Sequence, residues 1–199
     1  MAAILTALLA SLATTLAAVP LVRRLAVRCD LVDRPDARRK LHGRVVPLGG
    51  GLAVYLGWVA PLAALALLSG IGNPTDSGET VRFAGLAAAC GMLVLIGLYD
   101  DWRDLRGRQK LAGQVLAVGL LIVTGTLVRK LSVMGHVVEL GPLSAPFTAF
   151  FLLGAVNAVN LLDGIDGLAS TVGVILGTAF CAMSLMSPHG GPTGPQAGA

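Results

Sequence analysis

Charge is scarce in this chain. Only 13% of its 199 residues are Asp, Glu, Lys or Arg, where a soluble globular domain carries about a quarter. Set against 55% hydrophobic residues, that scarcity excludes an ordinary water-soluble domain, and the long uncharged runs point to an integral membrane protein. Aromatics are few as well, at 5%, and no series of segments alternates apolar and polar residues, which argues against a transmembrane β-barrel. Cysteine is limited to Cys29, Cys90 and Cys181. Their spacing fits no metal-ligand pattern, and two fall inside apolar runs as small fillers. The apolar N-terminus has no positive charge ahead of it, as a cleaved signal peptide would need, so it reads as a permanent first span.

What is present is a series of apolar segments at 2–22, 46–69, 83–99, 111–128, 143–162 and 168–187. They predict an all-α fold, a polytopic transmembrane helix bundle of about six spans. The third and fourth are short for a hydrocarbon core of about 30 Å, and Tyr99, Trp102 and Arg129 flank them as interfacial residues. Residues 1–187 form the expected membrane domain, and the Pro- and Gly-rich 188–199 a disordered tail.

The loops set the orientation. Eight basic residues lie in 23–44 and four in 102–110, which puts twelve of the fifteen on one side of a six-span arrangement. The positive-inside rule makes that side cytoplasmic and places the N-terminus outside. Eight of the eleven acidic residues fall on the same side, so the polar chemistry is expected there. The external loop at 129–142 has a Met-Gly-His centre that suggests a small hairpin or turn, and His136 there is read as a surface residue. The net charge of +4 is a weak signal, compatible with anionic lipid or anionic substrates.

The richest stretch is NAVNLLDGIDGLAS, residues 157–170. Asn157, Asn160, Asp163 and Asp166 stand where an uncharged run of membrane length ends, a costly position that marks function by default. Steps of three turn each side chain by only about 60° on a helix, so neighbours in the series share a face. Such oxygen donors suit a hard cation and the phosphates it carries. The plainer reading makes Asp163 or Asp166 the N-cap of the next helix.

A second acidic set, Asp100 and Asp101, stands where the third span ends and is followed by Arg103, Asp104 and Lys110. Adjacent helical residues point about 100° apart. One carboxylate is therefore expected to meet a metal and the other a basic group or a substrate hydroxyl. The first cytoplasmic loop adds Lys40 and His42, which a basic topology anchor alone does not require. Pro47 and Gly49 to Gly51 then open the second span, the glycines permitting close helix contact or substrate approach. Carboxylates on one cytoplasmic surface beside Lys40, Arg39, Arg103 and Lys110 fit metal-dependent phosphoryl chemistry.

The ordered segments DRPDARRKLHGRVVPLGGG, GLYDDWRDLRGRQKLAGQ and NAVNLLDGIDGLAS resemble the polyprenyl-phosphate N-acetylhexosaminyl-1-phosphate transferases, closer to their N-acetylglucosamine-1-phosphate branch than to the peptidoglycan branch. The resemblance implies a UDP-N-acetylhexosamine donor, a polyprenyl phosphate acceptor in the lipid, and Mg²⁺, with Mn²⁺ as the alternative ion. It implies a bacterial plasma-membrane enzyme of envelope polysaccharide synthesis, with no nucleic acid partner. Carried onto this chain, it makes Asp100, Asp101, Asp163 and Asp166 catalytic, and Asp100, Asn160 and Asp163 metal ligands. Lys40, His42, Arg103, Lys110, Asn157 and Asn160 become substrate-binding residues.

The chain also departs from that pattern. Family members have more spans, a later Gly-Asp-x-Gly-Ser segment and a His-rich loop, none of which occurs in 171–199. The expectation is thus the N-terminal part of such a transferase, either complemented by a C-terminal fragment or homodimeric. The competing expectation is a non-catalytic subunit that retains only a lipid-phosphate groove.

Overall fold

The computed structural model describes residues 2–33, 45–69, 77–164 and 167–186, so the expected tail at 188–199 lies outside the described residues. Six helices dominate them: α1 (Ala2–Arg28), α2 (Gly50–Ser69), α3 (Ser77–Arg103), α4 (Gly107–Val123), α5 (Ser144–Leu162) and α6 (Leu168–Met186). Each corresponds to one of the apolar segments. Three stretches are long and apolar enough to cross a membrane: Thr6–Arg28, Gly78–Arg103 and Gly141–Leu162. Gly50–Ala64 and Leu168–Met183 are shorter apolar helices.

Four short strands accompany the helices. β1 (Val32–Asp33) pairs antiparallel with β2 (Val46–Pro47), Asp33 standing opposite Val46. The pairing sets Asp33 and Val46 side by side, shortly after α1 ends and before α2 begins. β3 (Lys130–Val133) and β4 (His136–Glu139) form a hairpin. Its turn residues Met134 and Gly135 both have positive φ, 49° and 82°, matching the twist of the flanking strands. Periodicity could not show these strands, because two to four residues carry no readable pattern. His136 is exposed, as expected.

The chain divides into two compact units, 1–153 and 154–199. In the first, α1 packs on α2 through Ala18, Val22 and Ala53, flanked by Leu52 and Leu56. Gly57 makes this approach possible: a Cβ there would run into the Thr15 hydroxyl and come within 3.2 Å of the Ser11 carbonyl. α3 and α4 pack through Ala89, Ala117 and Leu121. Tyr55 ties α2 to α3 by donating its hydroxyl to the Ala87 carbonyl at 3.0 Å. Thr148 holds the start of α5, accepting from the Val128 amide at 2.9 Å.

Small residues therefore fill the helix contacts, while Leu8, Leu12, Leu16, Leu95, Leu116 and Phe150 face outward and exposed. Water makes that distribution costly; lipid favours it, because helices in a bilayer associate by close packing of small residues. The described residues are mostly helical and compatible with a membrane helix bundle.

Candidate functional site

The first acidic set sits on a tight link between two helices. The basic loop expected at 102–110 is only three residues long, Asp104 to Arg106, because α3 runs on through Arg103 and α4 begins at Gly107. Asp104 turns the chain in the left-handed region, φ 51°, and its amide donates to the Asp100 carbonyl at 2.8 Å. Asp tolerates this conformation better than most residues because its short polar chain bonds locally. On the far side, the Arg106 amide donates to Gln109 Oε1 at 3.0 Å, fixing the first turn of α4.

This link pins Asp100 from two directions. Its Oδ1 accepts the Leu105 amide at 3.1 Å, and its Oδ2 pairs with Lys110 Nζ at 2.6 Å. Asp100 thus meets a basic group. Its side chain keeps only 17% of its exposure, so it is held more firmly than a surface carboxylate. Arg103 turns elsewhere: its guanidinium lies 4.4 Å from the centre of the Trp102 ring, and Trp102 meets Tyr99 edge-on with centroids 6.2 Å apart. These three form an aromatic and cationic cluster at the end of α3, suited to a membrane interface.

In the second unit, Asn157 and Asn160 lie on α5, and the Asp163 amide donates to the Val159 carbonyl at 3.1 Å. That bond continues the helical ladder past Leu162, so 157, 160 and 163 descend one face, and all three are exposed. Asp163 therefore closes α5 and does not cap α6, which begins at Leu168. There, Gly167 supplies the cap carbonyl, accepting both the amide of Thr171 at 2.9 Å and its hydroxyl at 2.8 Å. Lys40, His42 and Asp166 lie outside the described residues.

Asp100, Asp101 and Asp163 share one electrostatic feature. Each stands at the C-terminal end of its helix, where the macrodipole is negative and a carboxylate is disfavoured. The N-cap explanation fails for Asp163, because a cap carboxylate belongs at the opposite end of a helix. Their placement costs stability unless a cation is near. For Asp100 that cation is Lys110.

Among the described residues no three His, Cys, Asp or Glu side chains gather into a metal-holding group; the donors of each set are hard oxygens of the type Mg²⁺ takes, an ion commonly held through one or two carboxylates plus substrate phosphates. Asp100 retains a further lone pair on each oxygen beyond its two present bonds. Sequence reasoning missed the Leu105 amide and Gln109. A backbone donor carries no side-chain signal, and a helix opening on Arg106 lacks the Ser, Thr, Asp or Asn that usually announces a cap.

The model of glycosyl transferase family 4 matches residues 83–193, which take in both acidic sets. Over 184 residues the chain is 33% identical to the probable undecaprenyl-phosphate N-acetylglucosaminyl 1-phosphate transferase of Bacillus subtilis, aligning 92% of itself with 48% of that protein. It is 34% identical over 179 residues to the decaprenyl-phosphate N-acetylglucosaminephosphotransferase of Mycolicibacterium smegmatis, covering 85% of the chain and 43% of the relative. For the undecaprenyl-phosphate alpha-N-acetylglucosaminyl 1-phosphate transferase of Escherichia coli K12 it is 31% over 177 residues, with 86% and 43% covered. The chain spans about half the length of the curated relatives it matches.

Proposed function

The chain belongs to glycosyl transferase family 4, and from that premise we propose that it takes part in transferring N-acetylglucosamine-1-phosphate from a UDP-sugar to polyprenyl phosphate on the cytoplasmic face of a bacterial plasma membrane. The observation that supports this reading is the standing of Asp100, Asp101 and Asp163 at helix C-termini, where the macrodipole disfavours a carboxylate. The names of the relatives supply the lipid acceptor and the amino sugar.

In the proposed reaction an oxygen of the acceptor phosphate attacks the sugar-bearing phosphorus of the donor. The bond from that phosphorus to the bridging oxygen breaks, and UMP leaves with the oxygen and its electron pair. A phosphate monoester has a second pKa near 6, so at neutral pH the acceptor is mostly dianionic and no strong base is needed. The protein's task is positioning and charge neutralisation, as in other phosphoryl transfers. The family resemblance assigns Mg²⁺ to Asp100, Asn160 and Asp163, and the ion when bound would neutralise diphosphate charge. Lys110 and Arg103, with Lys40 and His42 from the first loop, would contact the anionic substrates, and Asp101 and Asp166 complete the acidic set.

The test is UMP release from UDP-N-acetylglucosamine in the presence of polyprenyl phosphate and Mg²⁺. It is run on the 199-residue chain and on a version extended by whatever reading frame follows codon 199. Release that depends on lipid and metal supports the transferase reading. Lipid binding without release in either version favours a non-catalytic subunit, a reading motivated by the half-length coverage of the relatives.

A further inference from the structure

A second polar and apolar juxtaposition lies away from the acidic sets, between the end of α1 and the start of α2. A cavity of about 290 Å³ is lined there by Val19, Val22, Arg23, Pro47, Gly50 and Ala53, among others. Beside it, Pro20, Arg23, Arg24, Val27 and Arg28 form an open face of α1. Arg23 belongs to both, so an apolar seat and a triple-guanidinium rim join at one side chain. Among the described residues, neither lining contains Asp or Glu.

Gly50 gives the seat its room. A Cβ built on Gly50 or on Gly51 meets nothing within 4 Å, so close helix packing does not explain these glycines. Their missing side chains leave space beside the apolar wall. The arginines occupy the last two turns of a helix whose stretch Thr6–Arg28 is long and apolar enough to cross a membrane, which sets them at headgroup depth. Clusters of Lys and Arg beside a span attract anionic lipids, and guanidinium matches phosphate geometry through paired donors.

We propose that this groove holds one anionic phospholipid of the surrounding bilayer, with an acyl chain on Val19, Pro47 and Leu48 and the phosphate at Arg23, Arg24 and Arg28. A cavity near the lower end of the roughly 300–1,000 Å³ range of ligand pockets takes the upper part of a single chain. None of these residues belongs to the candidate transfer site, so the site stands independently of the proposed reaction. Its role is to fix the position of α1 against α2 at the membrane surface.

The test uses the full 199-residue chain in detergent. Phosphatidylglycerol, phosphatidylcholine, polyprenyl phosphate and inorganic phosphate are added in turn, and bound species are counted by native mass spectrometry. Phosphatidylglycerol should be retained at least about tenfold over phosphatidylcholine, as expected for two or more arginines acting at about five-fold each. Arg23→Gln should lower its retention by about five-fold. Gly50→Leu should lower it at least as far by filling the seat, with the thermal midpoint unchanged. Equal retention of the two phospholipids overturns the proposal, as does tighter retention of polyprenyl phosphate or displacement of the lipid by inorganic phosphate. Wild-type retention by folded Gly50→Leu would leave only surface arginines and overturns the groove. Should that variant fail to fold, Arg23→Gln, a change on an exposed side chain, decides alone: a five-fold loss supports the site and wild-type retention sinks it.

Discussion

Lys110 Nζ stands 2.6 Å from Asp100 Oδ2 across the three-residue link that joins α3 to α4. The pair is electrostatically apt, since the end of α3 is negative and the carboxylate adds to it. Yet Lys110 remains 34% exposed, and pairs of that kind contribute only about 0–1 kcal/mol. Lys110→Met should therefore lower stability by less than about 1 kcal/mol. In an active, extended version it should cut UMP release by roughly 100-fold, because small misplacements of a positioning group cost that much. Thermal denaturation in detergent and the release assay check the two halves; a large stability loss with unchanged turnover would make the pair structural.

At Asp163 function and stability should move in opposite directions. A carboxylate at a helix C-terminus opposes the macrodipole, by about 0.3–1 kcal/mol at exposed sites. Asp163→Asn should leave the fold as stable or slightly more stable while abolishing turnover in an active version. Unchanged UMP release would remove this residue from the site.

The left-handed Asp104 offers a backbone test. Glycine adopts φ 51° without a Cβ penalty, whereas a β-branched residue pays about 1–2 kcal/mol there. Asp104→Gly should leave the thermal midpoint unchanged or raised, and Asp104→Val should lower it. Equal midpoints for the two variants would contradict the turn geometry.

Close approach at Gly57 predicts a specific clash. Gly57→Ala pushes a methyl group into the Thr15 side chain and should cost about 1–3 kcal/mol, the usual penalty of overpacking. Removing the obstacle with Thr15→Ala in the same chain should restore much of the loss. Additive losses in the double variant would show that the two residues do not meet.

In the β3–β4 hairpin, the Lys130 ammonium hydrogen-bonds and attracts the Glu139 carboxylate at 2.7 Å, holding its pKa below the ordinary glutamate value. With the folded pKa depressed, the pair's contribution is present above the ordinary value and is lost as pH falls through the lowered one. Carboxyl NMR should show Glu139 titrating below a normal glutamate, and Lys130→Gln should return it to normal. High salt should have the same effect, because the pair is fully exposed.

Much of this molecule was legible in the chain. Helix positions followed from uncharged runs, because backbone polar groups in a bilayer are best satisfied within a helix. The Met134–Gly135 turn followed from residue type, and the shared face of Asn157, Asn160 and Asp163 from spacing. The loop expected at 102–110 was drawn too long. Charge density marked it as outside the membrane, but Arg103, Arg108 and Lys110 are compatible with helix ends, and charge alone does not say where a helix stops.

The sequence by itself determined the solvent this protein is built for, the helices and the identity of its acidic residues, because hydropathy and helical spacing are local properties. Only the tertiary structure decided that Asp100 is the carboxylate held by Lys110 and the Leu105 amide. It also showed that Asp163 ends α5 instead of starting α6, and that Gly50 opens onto a groove where Gly57 closes onto a neighbour. Those distinctions depend on which helix end a residue occupies and on what lies across from it in space, and neither is written in the order of the residues.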